Sequence, residues 1–220
     1  MFEAAEINYE NNDWITLVFL IILLCLTISK VFFNDRLLHL STLFLSKKYF
    51  LTYYNKEKNN FFNLFQILLF VVQLLVLAMF LYYSNSYLQI KNDFLGPKNF
   101  LLIVAAVSFY IGLRFFTGIF LAYIFDLKNR HKKLVFEKVN YFNSLILWLI
   151  PFLVFYAYTT EFKAFFFVVT ISIFILLLVI RYILFLSNNK KAIFNDFFYF
   201  ILYICALEIA PLIIIIKLTI

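Results

Sequence analysis

Six long apolar segments dominate this chain and limit what it can fold into. Each segment has about 20 residues, the length that an α-helix needs to cross the hydrocarbon core of a bilayer. The segments occupy residues 14–33, 61–83, 100–125, 141–158, 164–186 and 197–216. The pattern predicts an all-α fold, a polytopic bundle of six transmembrane helices that forms a single domain over residues 1–220.

The composition indicates that lipid is the solvent for most of the chain. Hydrophobic residues make up 65% of the sequence and charged residues only 14%, and the mean hydropathy is +0.94. A water-soluble domain of this size cannot bury so much apolar surface. The bilayer is therefore the first expected partner. The net charge of +7 is ascribed to the connectors between segments, and no nucleic-acid partner is expected.

The distribution of basic residues predicts the orientation of the helices. Twelve Lys and Arg residues lie in the connectors after the first, third and fifth segments, and four lie on the opposite side. Because basic connectors stay in the cytoplasm, both termini are expected outside it. Residues 1–13 contain acidic but no basic residues, unlike a signal peptide, so the first helix is expected to remain in the protein.

A possible interfacial helix follows the first segment, within residues 37–49. Leu37, Leu40 and Phe44 share one helical face, opposite the polar residues of the same stretch. The neighbouring Lys47 and Lys48 are candidate contacts for lipid headgroups. The alternative is an ordinary solvated loop that contains several leucines.

Four residues form a candidate polar cluster near the middle of the membrane. From the rise per residue, Arg114 and Gln73 lie roughly 18 Å from the cytoplasmic ends of their helices, Glu208 roughly 16 Å and Pro151 roughly 15 Å. An opposite pair at one depth costs less than either charge alone, so Arg114 and Glu208 are expected to make contact. The cluster is interpreted as a structural clasp inside the bundle, or alternatively as a proton, ion or polar-lipid site.

Small residues on the third predicted helix indicate close packing against neighbours. Ala105, Ser108 and Gly112 share one face, and Gly118 with Ala122 forms a second patch. Since small residues let helices approach closely in lipid, this helix is expected to have neighbours on both sides.

No motif for catalysis, metal binding or cofactor binding is recognisable. The only histidines, His39 and His131, lie in connectors, and the only glycines are at positions 96, 112 and 118. Gly-rich phosphate loops, the HExxH metalloprotease motif and the GxSxG elbow are all missing from the sequence. We therefore predict no catalytic residue, no metal site and no cofactor, and an enzyme is the less expected class.

The last segment carries a resemblance to a known family. Its core reads Cys-Ala-Leu-Glu-Ile-Ala-Pro, from Cys205 to Pro211, and resembles the C-terminal signature of an uncharacterised domain-of-unknown-function family of Bacteroidota multi-pass inner-membrane proteins. The resemblance implies a bacterial inner (cytoplasmic) membrane of a Gram-negative envelope. In that membrane, the orientation predicted from the basic residues makes the N-terminus and C-terminus periplasmic. It implies no activity.

Two classes of function remain open from the sequence. The first is a non-enzymatic integral membrane subunit or assembly factor of a cell-envelope complex, with other membrane protein subunits as partners. The alternative is a small transporter or lipid-handling membrane protein that uses a midplane site of Arg114 and Glu208. The absence of soluble domains and of catalytic motifs favours the first.

Overall fold

The fold is a bundle of α-helices, seen in a computed structural model that describes residues 13–44, 49–50, 52–53, 63–88, 96–124, 128–159 and 162–188. Within these ranges there is no strand. The six helices are α1 (Asp13–Phe32), α2 (Asn34–Ser41), α3 (Leu64–Leu88), α4 (Pro97–Ile124), α5 (Lys128–Tyr158) and α6 (Lys163–Asn188). All except α2 are long and apolar enough to cross a membrane. The predicted all-α transmembrane bundle is thereby confirmed, while its predicted segment 197–216 lies outside the described residues.

The long helices alternate in direction, so their ends collect in two layers. In one layer the ring of Trp14, at the start of α1, lies 5.2 Å from the rings of Tyr82 in α3 and Phe100 in α4. In the other layer Phe33, just after α1, lies 5.4 Å from Phe65 near the start of α3. We call the layer that contains Phe33 and Phe65 the basic end, because the Lys- and Arg-rich connectors adjoin it.

The centre of the bundle is α5, packed against α3 and α6. Half of the residues in the α5 span are buried, against 11% in the spans of α4 and α6. The buried residues of α5 include Leu145, Leu149 and Leu153, which join residues of α1 and α3 in one apolar core. The outer faces of α4 and α6 are apolar and exposed, as expected where lipid replaces water as the solvent.

The helix α5 begins at Lys128, well before the predicted start at residue 141. Its first turns contain Lys133 and Glu137, whose charged groups lie 3.9 Å apart as a pair one turn from each other. Phe136, Glu137 and Asn140 are buried on the side that faces the bundle. A search for apolar residues cannot find this part of the helix, because its stability comes from an amphipathic face and from pairs spaced by one turn.

The short helix expected after the first segment is present as α2, but it ends at Ser41. Leu40 and Leu43, which lie on the apolar face, are buried against the basic end of the bundle. The indole N–H of Trp148 in α5 donates to the carbonyl of Ser41 at 3.1 Å. The face expected to contact lipid therefore contacts protein at these positions, since the ends of α3 and α5 offer a closer apolar surface. An inner-leaflet location for the helix stays a prediction.

Candidate functional site

Two of the four predicted mid-depth residues, Gln73 and Arg114, line one cavity. The cavity has a volume of about 460 Å³ and is bounded by residues of α3, α4, α5 and α6. The helix α3 presents Gln73 with only 7% of its side chain exposed, and α4 presents the half-buried Arg114. The depth estimates placed both residues at one level, and the bundle places their helices side by side.

The other predicted site residues are not brought to this cavity by the described structure. Pro151 has an exposed side chain within α5, and it is not one of the described residues that line the cavity. Glu208, Lys47 and Lys48 lie outside the described residues. The four-member cluster and the lysine headgroup contacts therefore stay predictions.

Two further cations, Lys138 and Arg181, line the cavity toward the basic end. Arg181 is 8% exposed, and its guanidinium donates to the carbonyl of Lys138 at 3.2 Å. The same guanidinium lies 4.6 Å from the centre of the Phe142 ring. A carbonyl and an aromatic face both stabilise a cation away from water. Lys138 and Phe142 lie early in α5, so the side chain of Arg181 points toward the basic end, as a snorkelling arginine does.

The far part of the cavity is apolar. The rings of Phe80 in α3 and Phe174 in α6 lie 4.6 Å apart between centroids, and Leu77 and Val107 line the same region. Along α4 the lining extends from Val107 to Gly118, about 16 Å at the helical rise per residue. The cavity thus changes from cationic to apolar along the helix axes.

Among the described helices, none closes the cavity between α4 and α6. The helices α3 and α5 pack against each other and form its floor, whereas α4 and α6 stand on either side and make little contact with each other. Because both flanking helices turn apolar faces outward, the opening faces the region where lipid is expected. This arrangement can bind an amphiphilic anion that enters from the bilayer.

A layer of polar side chains joins α3, α5 and α6 at the basic end. The Gln66 amide donates to Asn140 Oδ1 at 3.3 Å, and Asn140 Nδ2 donates to the Phe136 carbonyl at 2.8 Å. Asn188 Nδ2 donates to the Tyr141 hydroxyl at 2.7 Å. Sequence reasoning missed this layer, although Gln66, a polar residue within the predicted span 61–83, was the available signal. Its role is to fix the neighbouring helices against each other.

One of the two small-residue faces of α4 is only partly covered. Gly118 and Ala122 are buried, whereas Ala105 is exposed and Ser108 and Gly112 are half-buried. A Cβ atom built on Gly112 would meet no described atom within 4 Å. In the described part of the chain, α4 therefore has neighbours on one side only, and the expected second neighbour is not among the described helices.

Comparisons with known proteins identify the family. No curated protein matches this chain, and no solved structure does. One family matches residues 15–219 and is described as a domain of unknown function, DUF4271. The match covers almost the whole sequence and confirms the expectation of an uncharacterised family. Because the match extends over residues 15–219, the chain belongs to the DUF4271 family.

Proposed function

We propose that this protein is a non-enzymatic integral membrane subunit or assembly factor of a cell-envelope complex. Its setting is the inner membrane of a Gram-negative bacterium of the Bacteroidota, as the resemblance of its last segment implies, with both termini periplasmic. The distribution of basic residues supports this orientation, because twelve of them adjoin one end of the helices and four the other.

The partly covered small-residue face of α4 carries the proposal. Ala105, Ser108 and Gly112 recur along one side of a helix whose span is only 11% buried. Small residues have little value against lipid chains, which fill space around any side chain, but they allow another helix to approach closely. A face of this kind on a peripheral helix fits a partner helix better than it fits lipid.

Enlarging Gly112 tests the proposal. The Gly112→Leu variant should fold as the parent does, because a Cβ there meets no described atom within 4 Å, while the added side chain keeps a partner helix at a distance. The matched control is Ser172→Leu, which enlarges an exposed small residue of α6. Both variants and the parent are extracted in mild detergent from native membranes, and the co-purifying chains are quantified.

The expected result is a stoichiometric membrane partner that is retained by the parent and by Ser172→Leu and lost by Gly112→Leu. Retention of the same partner by Gly112→Leu would contradict docking on this face. Purification of the parent as a lone monomer would contradict the subunit function itself.

A second candidate function is favoured by the cavity. A small transporter or lipid-handling protein would use the polar groups that line it, with Arg114 and Glu208 as its midplane site. This candidate predicts a lone protein in mild detergent and a cellular phenotype that is lost in Glu208→Gln without loss of accumulation. Normal cellular function of Glu208→Gln would contradict it.

A further inference from the structure

We propose that the cavity binds one anionic phospholipid, with the phosphate at Lys138 and Arg181 and one acyl chain between Phe80 and Phe174. This site goes beyond membership in a complex, because a subunit needs no lipid in a cavity of its own. The site and the partner face also lie on different sides of α4, so each can be tested without the other.

The charge of the cavity favours an anionic headgroup. Lys138 and Arg181 come from different helices and line the same end. Arg181 directs one N–H to the carbonyl of Lys138, and a guanidinium has five N–H donors, which suit phosphate oxygens. A phosphate at this end would be bound by two cations.

The depth of this end matches the headgroup level of a bilayer. Lys138 lies three residues before residue 141, where the apolar part of α5 begins, and Arg181 contacts the backbone at Lys138. Basic residues at that level attract anionic lipids. Gln73 and Arg114 come next along the cavity, deeper than the headgroup level.

The apolar part of the cavity favours a lipid over a free phosphate. Leu77, Phe80, Val107 and Phe174 continue the cavity away from the cations, and an inorganic ion would leave this part unfilled. A volume of about 460 Å³ is within the usual range for ligand pockets of roughly 300–1,000 Å³. The described helices leave the gap between α4 and α6 unclosed, which gives a lipid a route from the bilayer.

Lipid retention by the full-length protein tests the charged end. The protein is purified in mild detergent, stripped of lipid, offered equal amounts of phosphatidylglycerol and phosphatidylcholine, and analysed by native mass spectrometry. Phosphatidylglycerol should be retained preferentially as a single adduct. Lys138→Gln should lower that preference about fivefold, since one basic group near the headgroups contributes about 1 kcal/mol.

A matched control separates the cavity from general surface charge. Lys133→Gln removes the same charge from the same helix, at a side chain that is 51% exposed and pairs with Glu137. It should leave the lipid preference unchanged. Equal retention of both lipids by the parent, or an equal effect of the two substitutions, would overturn the proposal.

Two further arms test the acyl chain and the occupant. Val107→Trp should fill the apolar part of the cavity and abolish retention of phosphatidylglycerol. If that variant does not fold, Leu81→Trp, at another lining residue, is used in its place. Glycerol phosphate, as a free headgroup, should not displace the lipid, and displacement would show a phosphate site instead.

A benzophenone side chain at position 77 should crosslink to lipid. Capture of the peptide that contains residues 197–216 would show that the chain itself fills the cavity and would overturn the proposal.

Discussion

Replacing Leu145 by alanine tests whether lipid is the solvent of a bundle centred on α5. The Leu145 side chain is 0% exposed, and in a water-soluble core such a change costs about 2.7–5.0 kcal/mol. Of this, about 2.4 kcal/mol is the transfer of three carbon groups to water, at about 0.8 kcal/mol each. Helices that separate within a micelle keep Leu145 in apolar surroundings, so this part is absent. The expected loss of bundle stability is about 0.3–2.6 kcal/mol, which reflects lost packing alone.

The assay follows helix separation by the fluorescence of Trp14, whose ring contacts rings of α3 and α4. Trp148→Phe is the background, because these are the only two tryptophans. Unfolding is titrated with sodium dodecyl sulfate in mild-detergent micelles. The control is Leu176→Ala, a 57% exposed position on α6, where the expected change is within about 0.5 kcal/mol. Equal losses at the two positions would refute a central α5, and a loss above about 4 kcal/mol would refute lipid as the solvent.

Two other predictions concern pairing and orientation. Arg114→Leu should reduce accumulation of the protein in membranes, and adding Glu208→Leu should restore much of it, because an unpaired charge at midplane costs about 2.5–3.5 kcal/mol on insertion scales. Immunoblots of the membrane fraction measure the amount of each variant. No recovery in the double variant would contradict the pairing. Reporters that are active only outside the cytoplasm should give signal when fused at Asp13 and Ile220 and none after Lys133; a silent fusion at Ile220 would show that the number of spans is wrong.

The apolar spans of this fold follow from the sequence, but the polar helical parts do not. Five of the six predicted segments coincide with long helices, because in lipid every backbone group must be hydrogen-bonded within the segment. The start of α5 at Lys128 was missed, since its first turns are charged and resemble a connector in composition. The burial of Leu40 was also missed. An apolar stripe shows that a face is covered, and it does not show whether lipid or protein covers it.

The depth of the candidate site residues in the membrane could be predicted from the sequence, but the residues that surround each of them could not. The rise per residue placed Gln73 and Arg114 at one level, and both line the cavity. The same arithmetic included Pro151, which is exposed, because depth along a helix does not define which face turns inward. Lys138 lies in a predicted connector and Arg181 within the predicted span 164–186, so their convergence could not be inferred. That convergence depends on which helices are adjacent, and helix adjacency leaves no simple periodic signal.

Arg114 and Arg181 lie at different depths in the membrane, which distinguishes the proposed midplane charge pair from the proposed headgroup site. Arg114 lies ten residues before the end of α4 at Ile124, or about 15 Å, too far for its side chain to reach the headgroups. Its charge must therefore be balanced at depth, where Glu208 is predicted. Arg181 instead reaches toward the basic end, where a phosphate can approach. The double variant Arg114→Leu with Glu208→Leu should therefore keep its preference for phosphatidylglycerol in native mass spectrometry, while Lys138→Gln loses it. Loss of that preference in the double variant would show that one site, and not two levels, binds the headgroup.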